Sequence, residues 1–139
     1  MYATQSDMEN RFGAEEIIQL TDRGNTGSVN LTVLNQALSD AQAVIDGYLR
    51  SAYSLPLSIV PAELVRVCCD FARFFLYDDR VTEAVQKRRD EALNWLRDVA
   101  SGRTTLGLDT SGNIVQEAAG GVKYSANPRQ FNAATLSGY

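Results

Sequence analysis

The sequence predicts an all-α protein: a small bundle of about five helices, two short and N-terminal and three longer, followed by an extended C-terminal arm. Three observations carry this. Apolar residues recur at helical spacing through three long windows, a capping residue or proline precedes each, and the composition shifts after Gly102. The body is therefore assigned to residues 1–102 and the arm to 103–139.

Thr4 is followed three residues later by Asp7, close to a capping box, and Met8 and Phe12 then repeat at i, i+4 before Gly13 ends a first short helix. In "AEEIIQLTD" Glu15 and Glu16 occupy a first turn, where the helix dipole favours acids, and Ile17, Ile18 and Leu20 share one side. From Leu31 the stripe Leu31, Leu34, Leu38, Ala41, Ile45, Tyr48, Ala52 advances by alternating steps of 3 and 4, with Asn30 as N-cap. This is the longest predicted helix, about 30–53, and Leu55-Pro56 closes it because a residue before proline is pushed out of the α region.

Pro61 suits a first helical position, and Leu64, Cys68, Phe71 and Phe75 form the inner stripe of a fourth helix ending near Tyr77. Thr82 caps a fifth, with Val85, Ala92, Leu96 and Val99 facing inward and Gly102 just past its end. The arm is rich in Gly, Ser, Thr, Asn and Ala and cannot form a core of its own. Within it "TTLGLDTSGNIVQ" alternates around a turn, the pattern of a small β-hairpin at 104–116. Beyond Ala118 the large side chains Tyr124, Phe131, Leu136 and Tyr139 are spaced along small-residue sequence, which suits either docking onto a partner or a disordered terminus.

Apolar residues at 45% and charged residues at 22% are ordinary globular values and argue against wholesale disorder. The N-terminus lacks a basic start and an apolar stretch, and the longest apolar region is broken by Arg66, Asp70 and Arg73, so neither a signal peptide nor a membrane span is expected. Residues 1–102 hold 10 Lys/Arg against 15 Asp/Glu, while 103–139 hold 3 against 2. An acidic body opposes general DNA binding, whose affinity comes from clustered cations on phosphates. Cys68 and Cys69 are adjacent inside an apolar helical run; buried free thiols in a reducing compartment are expected.

Candidate chemistry is thin. "DRGNTGSVN", from Asp22 to Asn30, outlines a calcium loop, but its third position is Gly24 and its twelfth is Val33, where a bidentate Glu is required. The segment reads better as a turn in which Asp22 accepts backbone amides. There is no histidine, which removes Ser-His and Cys-His nucleophile arrangements and the commonest metal ligand. Asp78 and Asp79 form an acidic pair with no third ligand or paired base announced, so they read as a polar connector. "QKRRDEA" is interleaved with acids, Glu83 and Lys87 and then Lys87 and Glu91 standing at i, i+4, and reads as a solvated face. Arg66, Asp70 and Arg73 form a charge ladder along the fourth helix, surface on a monomer and a register-setting interface in an oligomer. No catalytic residue, metal or cofactor is assigned.

The stretches "IDGYLRSAYSLPLSIVPAELVRVCCDFARFFLYDDR", "EALNWLRDVASGRTTLG" and "NPRQFNAATLSGY", with the opening "YATQSDMENRFGAEEIIQLTDR", resemble the Mu-like bacteriophage gene-36 protein family over essentially the whole chain. The resemblance implies a non-enzymatic virion component, similar to the helical head-tail connectors that form a ring beneath the portal. By analogy such a ring has about twelve copies, with viral DNA passing through its lumen without sequence-specific binding. The implied partners are other copies of the chain, the portal protein and a tail-side neck or tail-terminator protein, and the implied location is the virion neck. Tyr124, Phe131, Leu136 and Tyr139 are then expected as apolar anchors of the arm, with Arg129 as a polar clamp. A small helical DNA-binding regulator is the alternative, and it requires a basic recognition helix.

Overall fold

A computed structural model describes residues 1–115. Five helices form: α1 (Gln5–Phe12), α2 (Ala14–Thr21), α3 (Leu31–Leu49), α4 (Ala62–Leu76) and α5 (Glu83–Ala100). The all-α class expected from the sequence is what the chain adopts, with no β-strand among the described residues.

Local chemistry sets the boundaries. At α1 the Thr4 hydroxyl accepts from Asp7 N at 3.3 Å while the Asp7 carboxylate accepts from Thr4 N at 2.8 Å, a complete capping box. Gly13, at φ +89°, makes the sharp joint between α1 and α2, a conformation that residues with a Cβ rarely adopt. The Asn30 side chain accepts from Thr32 N and Val33 N, and Thr82 accepts from Val85 N, so α3 and α5 begin where their caps stand. Pro61 is the N-cap residue of α4, one position before the first helical position expected for it.

The α3 helix ends at Leu49, four residues short of the expected boundary at 53. Amides of Ala52 and Tyr53 both turn back onto Leu49 O, at 2.9 and 2.8 Å, closing the last turn ahead of a cis Leu55-Pro56 peptide. This frees the Tyr53 side chain to leave the helix face and accept a hydrogen bond from Leu106 N.

The antiparallel α3–α4 pair forms the centre, with α5 packed across it and α1–α2 closing one side. Leu34, Leu38, Ala41 and Ile45 from α3 meet Leu64, Val67, Cys68 and Ala72 from α4, all fully buried, and Ala92, Leu96 and Val99 complete the layer from α5. Met8 and Ile17 anchor the two short helices in the same core. Each such side chain contributes about 1.5–3 kcal/mol through burial, which is how eight-residue helices too short to persist alone are held. Two members of the expected stripes depart from the core: Leu31 and Phe75 are 50% and 37% exposed. A step of four residues rotates about 40° around a helix, so by the end of α4 the inward face has passed to Ala72 and Leu76.

Residues 103–115 lie against the α3–α4 connector. Tyr53 Oη accepts from Leu106 N at 3.0 Å, Ser54 N donates to Thr110 O at 2.9 Å, and the side chains of Ser58 and Asn113 meet at 3.2 Å. A single antiparallel bridge joins Leu108 to Ile114, and the Asp109 carboxylate organises its turn by accepting from Ser111 N and Asn113 N. The arm contacts expected at Tyr124, Arg129, Phe131, Leu136 and Tyr139 lie outside the described residues.

Candidate interaction surface

The α4 helix carries charge on an otherwise apolar element, and its partners decide what that charge can do. Asp70 is only 4% exposed. Arg66, one turn back, donates to Asp70 Oδ2 at 3.4 Å, and Arg88 from α5 stands 3.9 Å from Oδ1. Burial pushes the Asp70 carboxyl above its ordinary range, and the arginines around it partly offset that.

Arg73 does not continue this arrangement. Its guanidinium reaches α2, donating to Glu16 Oε1 at 2.6 Å, and lies 4.4 Å from the centre of the Phe12 ring. Tyr77 donates to the same Glu16 oxygen at 2.9 Å, and burial followed by that bond raises the phenol above its usual value. The expected ladder is thus two separate junctions, one toward α5 and one toward α2. Of its three members only Arg66 keeps a large solvent-facing share, with 44% of its side chain exposed beside the 59% of Arg88.

The solvated face expected at 86–92 is partly a packing face. Arg89 lies 4.4 Å over the Phe74 ring, which fastens α5 to α4. Neither pair involving Lys87 forms an ion pair among the described residues; Arg88 instead reaches Asp70 and Arg89 pairs with Asp90.

The quoted loop is a turn. Asp22 Oδ1 accepts from Thr26 N at 2.9 Å and Oδ2 from Gly27 N at 2.7 Å; these amides lower the carboxyl's pKa. Buried Thr21 ties the turn down, donating to Ile17 O at 2.7 Å and accepting from Asn30 N at 3.1 Å. Asp78 adopts φ +41° and faces Arg23 at 3.6 Å across exposed surface, consistent with a connector. Among the described residues no three His, Cys, Asp or Glu side chains gather as a metal set, and no helix is long and apolar enough to cross a membrane.

Two of the grooves among the described residues border α3. One, of about 390 Å³, lies between α3 and the end of α4, with Val33, Ala37, Phe75 and Leu76 among its walls. The other, of about 430 Å³, is bounded by Met1, Tyr2 and the Leu55-Pro56-Leu57 connector with Val60, and by Gln42, Asp46 and Arg50 of α3. Tyr2 is 8% exposed and donates its hydroxyl to Asp46 Oδ1, pinning the N-terminus across the middle of α3. Sequence reasoning missed this contact because Tyr2 precedes the first cap and belongs to no periodic stripe. The exposed apolar residues Ile59 and Val60, on the same connector, and Ile114 and Val115 extend the non-polar character of this end of the molecule.

Known proteins similar to this chain come from a phage and a prophage. The family described as "Bacteriophage Mu, Gp36" matches residues 2–124. The "Mu-like prophage FluMu protein gp36" of Haemophilus influenzae is 33% identical over 126 residues, covering 91% of this chain and 89% of the relative. "Gene product J" of Escherichia phage Mu is 33% identical over 132 residues, 94% of each chain.

Proposed function

Because the chain belongs to the bacteriophage Mu Gp36 family, we propose that it is a structural head-tail connector, a non-enzymatic adaptor that forms a ring between portal and tail. The observation that carries this reading is the pairing of a helical body with an apolar end from which the remaining chain departs, in a phage-type protein matched along most of its length. A ring subunit needs both: a bundle that keeps its shape under load and a segment that reaches the next component. The acidic body suits a lumen through which DNA slides without being gripped. Copies of the chain, the portal and a tail-side neck protein are its partners in this reading, with Arg66 and Arg88 as the charged groups of the body available to an acidic neighbour.

Native mass measurement of the purified chain, alone and with the portal of the same phage, tests the proposal. Rings of about a dozen copies seated on the portal are the expected result. Monomers that ignore the portal, or a sequence-dependent shift of duplex DNA at moderate salt, would overturn it in favour of a different role.

A further inference from the structure

Four of the ten Lys/Arg of residues 1–102 converge on one buried carboxylate. Asp70 is 4% exposed, and the charges that act on it most are Arg66, Arg88, Arg11 and Arg73, drawn from α4, α5 and α1. Glu16 takes Arg73. Three cations are left around a single anion, in a body where acids outnumber cations 15 to 10.

The two nearest stand side by side across the α4–α5 seam with most of their donors unspent. Arg66 donates to Asp70 Oδ2 at 3.4 Å, and Arg88 approaches Oδ1 only to 3.9 Å, beyond hydrogen-bond distance. A guanidinium carries five N–H donors in a planar fork that matches a carboxylate, so each keeps donors for a further oxygen anion. Solvent reaches both, with 44% and 59% of their side chains exposed. Glu63 and Glu91, three residues along the helix from Arg66 and Arg88, form no ion pair with either among the described residues.

Charge selects what meets this patch. Apart from those four arginines, Asp70 and Glu16, residues 1–102 hold 6 Lys/Arg against 13 Asp/Glu, so another copy of the chain presents an acidic surface to it. The chain's own segment 116–139 is the poorer complement, with Lys123 and Arg129 against Glu117. DNA phosphates approaching the patch would be opposed by the same 13 acids.

We propose that Arg66 and Arg88, aligned by the buried Asp70, grip a carboxylate side chain on the acidic surface of a second copy of the chain. Two such patches repel face to face, so the contact joins unlike surfaces and propagates head to tail rather than closing a pair. An arginine–carboxylate fork of this kind fixes register between subunits more than it adds affinity. The inference rests on the connector reading in one respect, that copies stand side by side.

Full-length Arg66→Lys and Arg88→Lys, which keep the charge, test it separately. Each is mixed from unlabelled and heavy-nitrogen chains and treated with a zero-length carbodiimide, which joins an amine to a carboxylate in contact with it. Peptides of mixed isotope linking position 66 or 88 to an Asp or Glu of the other copy are expected, several-fold above those from Arg97→Lys, an exposed position on α5. Added duplex DNA should leave them in place. Links formed only within one chain, no excess over position 97, or loss of the links to DNA overturns the inference. Native mass of the same samples reads the connector proposal separately: rings without mixed links at 66 or 88 retain that proposal and sink this contact, whereas monomers sink both.

Discussion

Arg73 and Glu16 meet at 2.6 Å across 57 residues of sequence, with only 19% and 22% of their side chains exposed. This pair, stacked on Phe12 and shared with Tyr77, is what fastens the short α2 helix to α4. Glu16→Gln keeps the shape and removes the charge, leaving a half-buried guanidinium without its counterion. A loss of about 1–3 kcal/mol in urea unfolding is expected. An unchanged midpoint would show that the pair only decorates the surface.

Asp70 makes stability depend on pH. Its folded-state pKa is raised by burial, so the folded chain binds that proton more tightly than the unfolded one. Its contribution to stability is then fully present below the unfolded aspartate value of about 3.9 and declines as pH rises through the folded value. Subtracting the unfolding free energy of Asp70→Asn from that of the wild type, over a pH series, isolates this group. The wild-type advantage should shrink with rising pH; growth in the same interval would mean that Arg66 and Arg88 outweigh desolvation.

Tyr2→Phe removes the hydroxyl that Asp46 accepts and leaves the ring in place. About 0.5–1.5 kcal/mol should be lost at neutral pH. The Tyr2 phenol is raised by burial and then by Asp46, so its stabilising effect holds below the ordinary tyrosine value of about 10 and is lost as pH rises beyond it. Wild type and Y2F should therefore converge in strongly alkaline buffer, a comparison readable by circular dichroism.

The thiols of Cys68 and Cys69 are pushed up to about 12, chiefly by burial. An aromatic disulfide reagent at pH 8 should leave both essentially unreacted in the native chain and titrate both in denaturant. Fast labelling of either under native conditions would place α4 outside the core.

Asp22 organises its turn through both carboxylate oxygens, so calcium would have to displace those bonds. Added calcium should leave the melting temperature unchanged, whereas Asp22→Ala should lower it. A calcium-dependent rise, read by differential scanning fluorimetry, would restore the ion-site reading of this loop.

Much of the fold was legible because it is local. Thr4, Asn30 and Thr82 cap the helices they precede, and a hydroxyl or amide side chain at that position satisfies donors within three residues, with no need of tertiary context. The stripe from Leu34 to Ile45 points inward for the same kind of reason, since helical periodicity alone puts those side chains on one face. Phe75 escaped the rule because each step of four residues drifts about 40° around the helix, so the inward face has passed to Ala72 and Leu76 by the end of α4.

The candidate surface was less legible. Arg66, Asp70 and Arg73 stand close in sequence, yet whether they form one ladder depends on which long side chain finds a partner, and those partners, Arg88 and Glu16, come from other helices. By itself the sequence determined the class, the caps, the core stripes and the kinship with a phage family. Only the tertiary structure decided that Asp70 is buried between two arginines, that Arg73 fastens α2, and that Tyr2 closes one wall of a groove at the apolar end. The division follows from range: capping and periodicity act within a turn or two of the chain, whereas burial of a charge and the opening of a groove exist only once distant helices have packed.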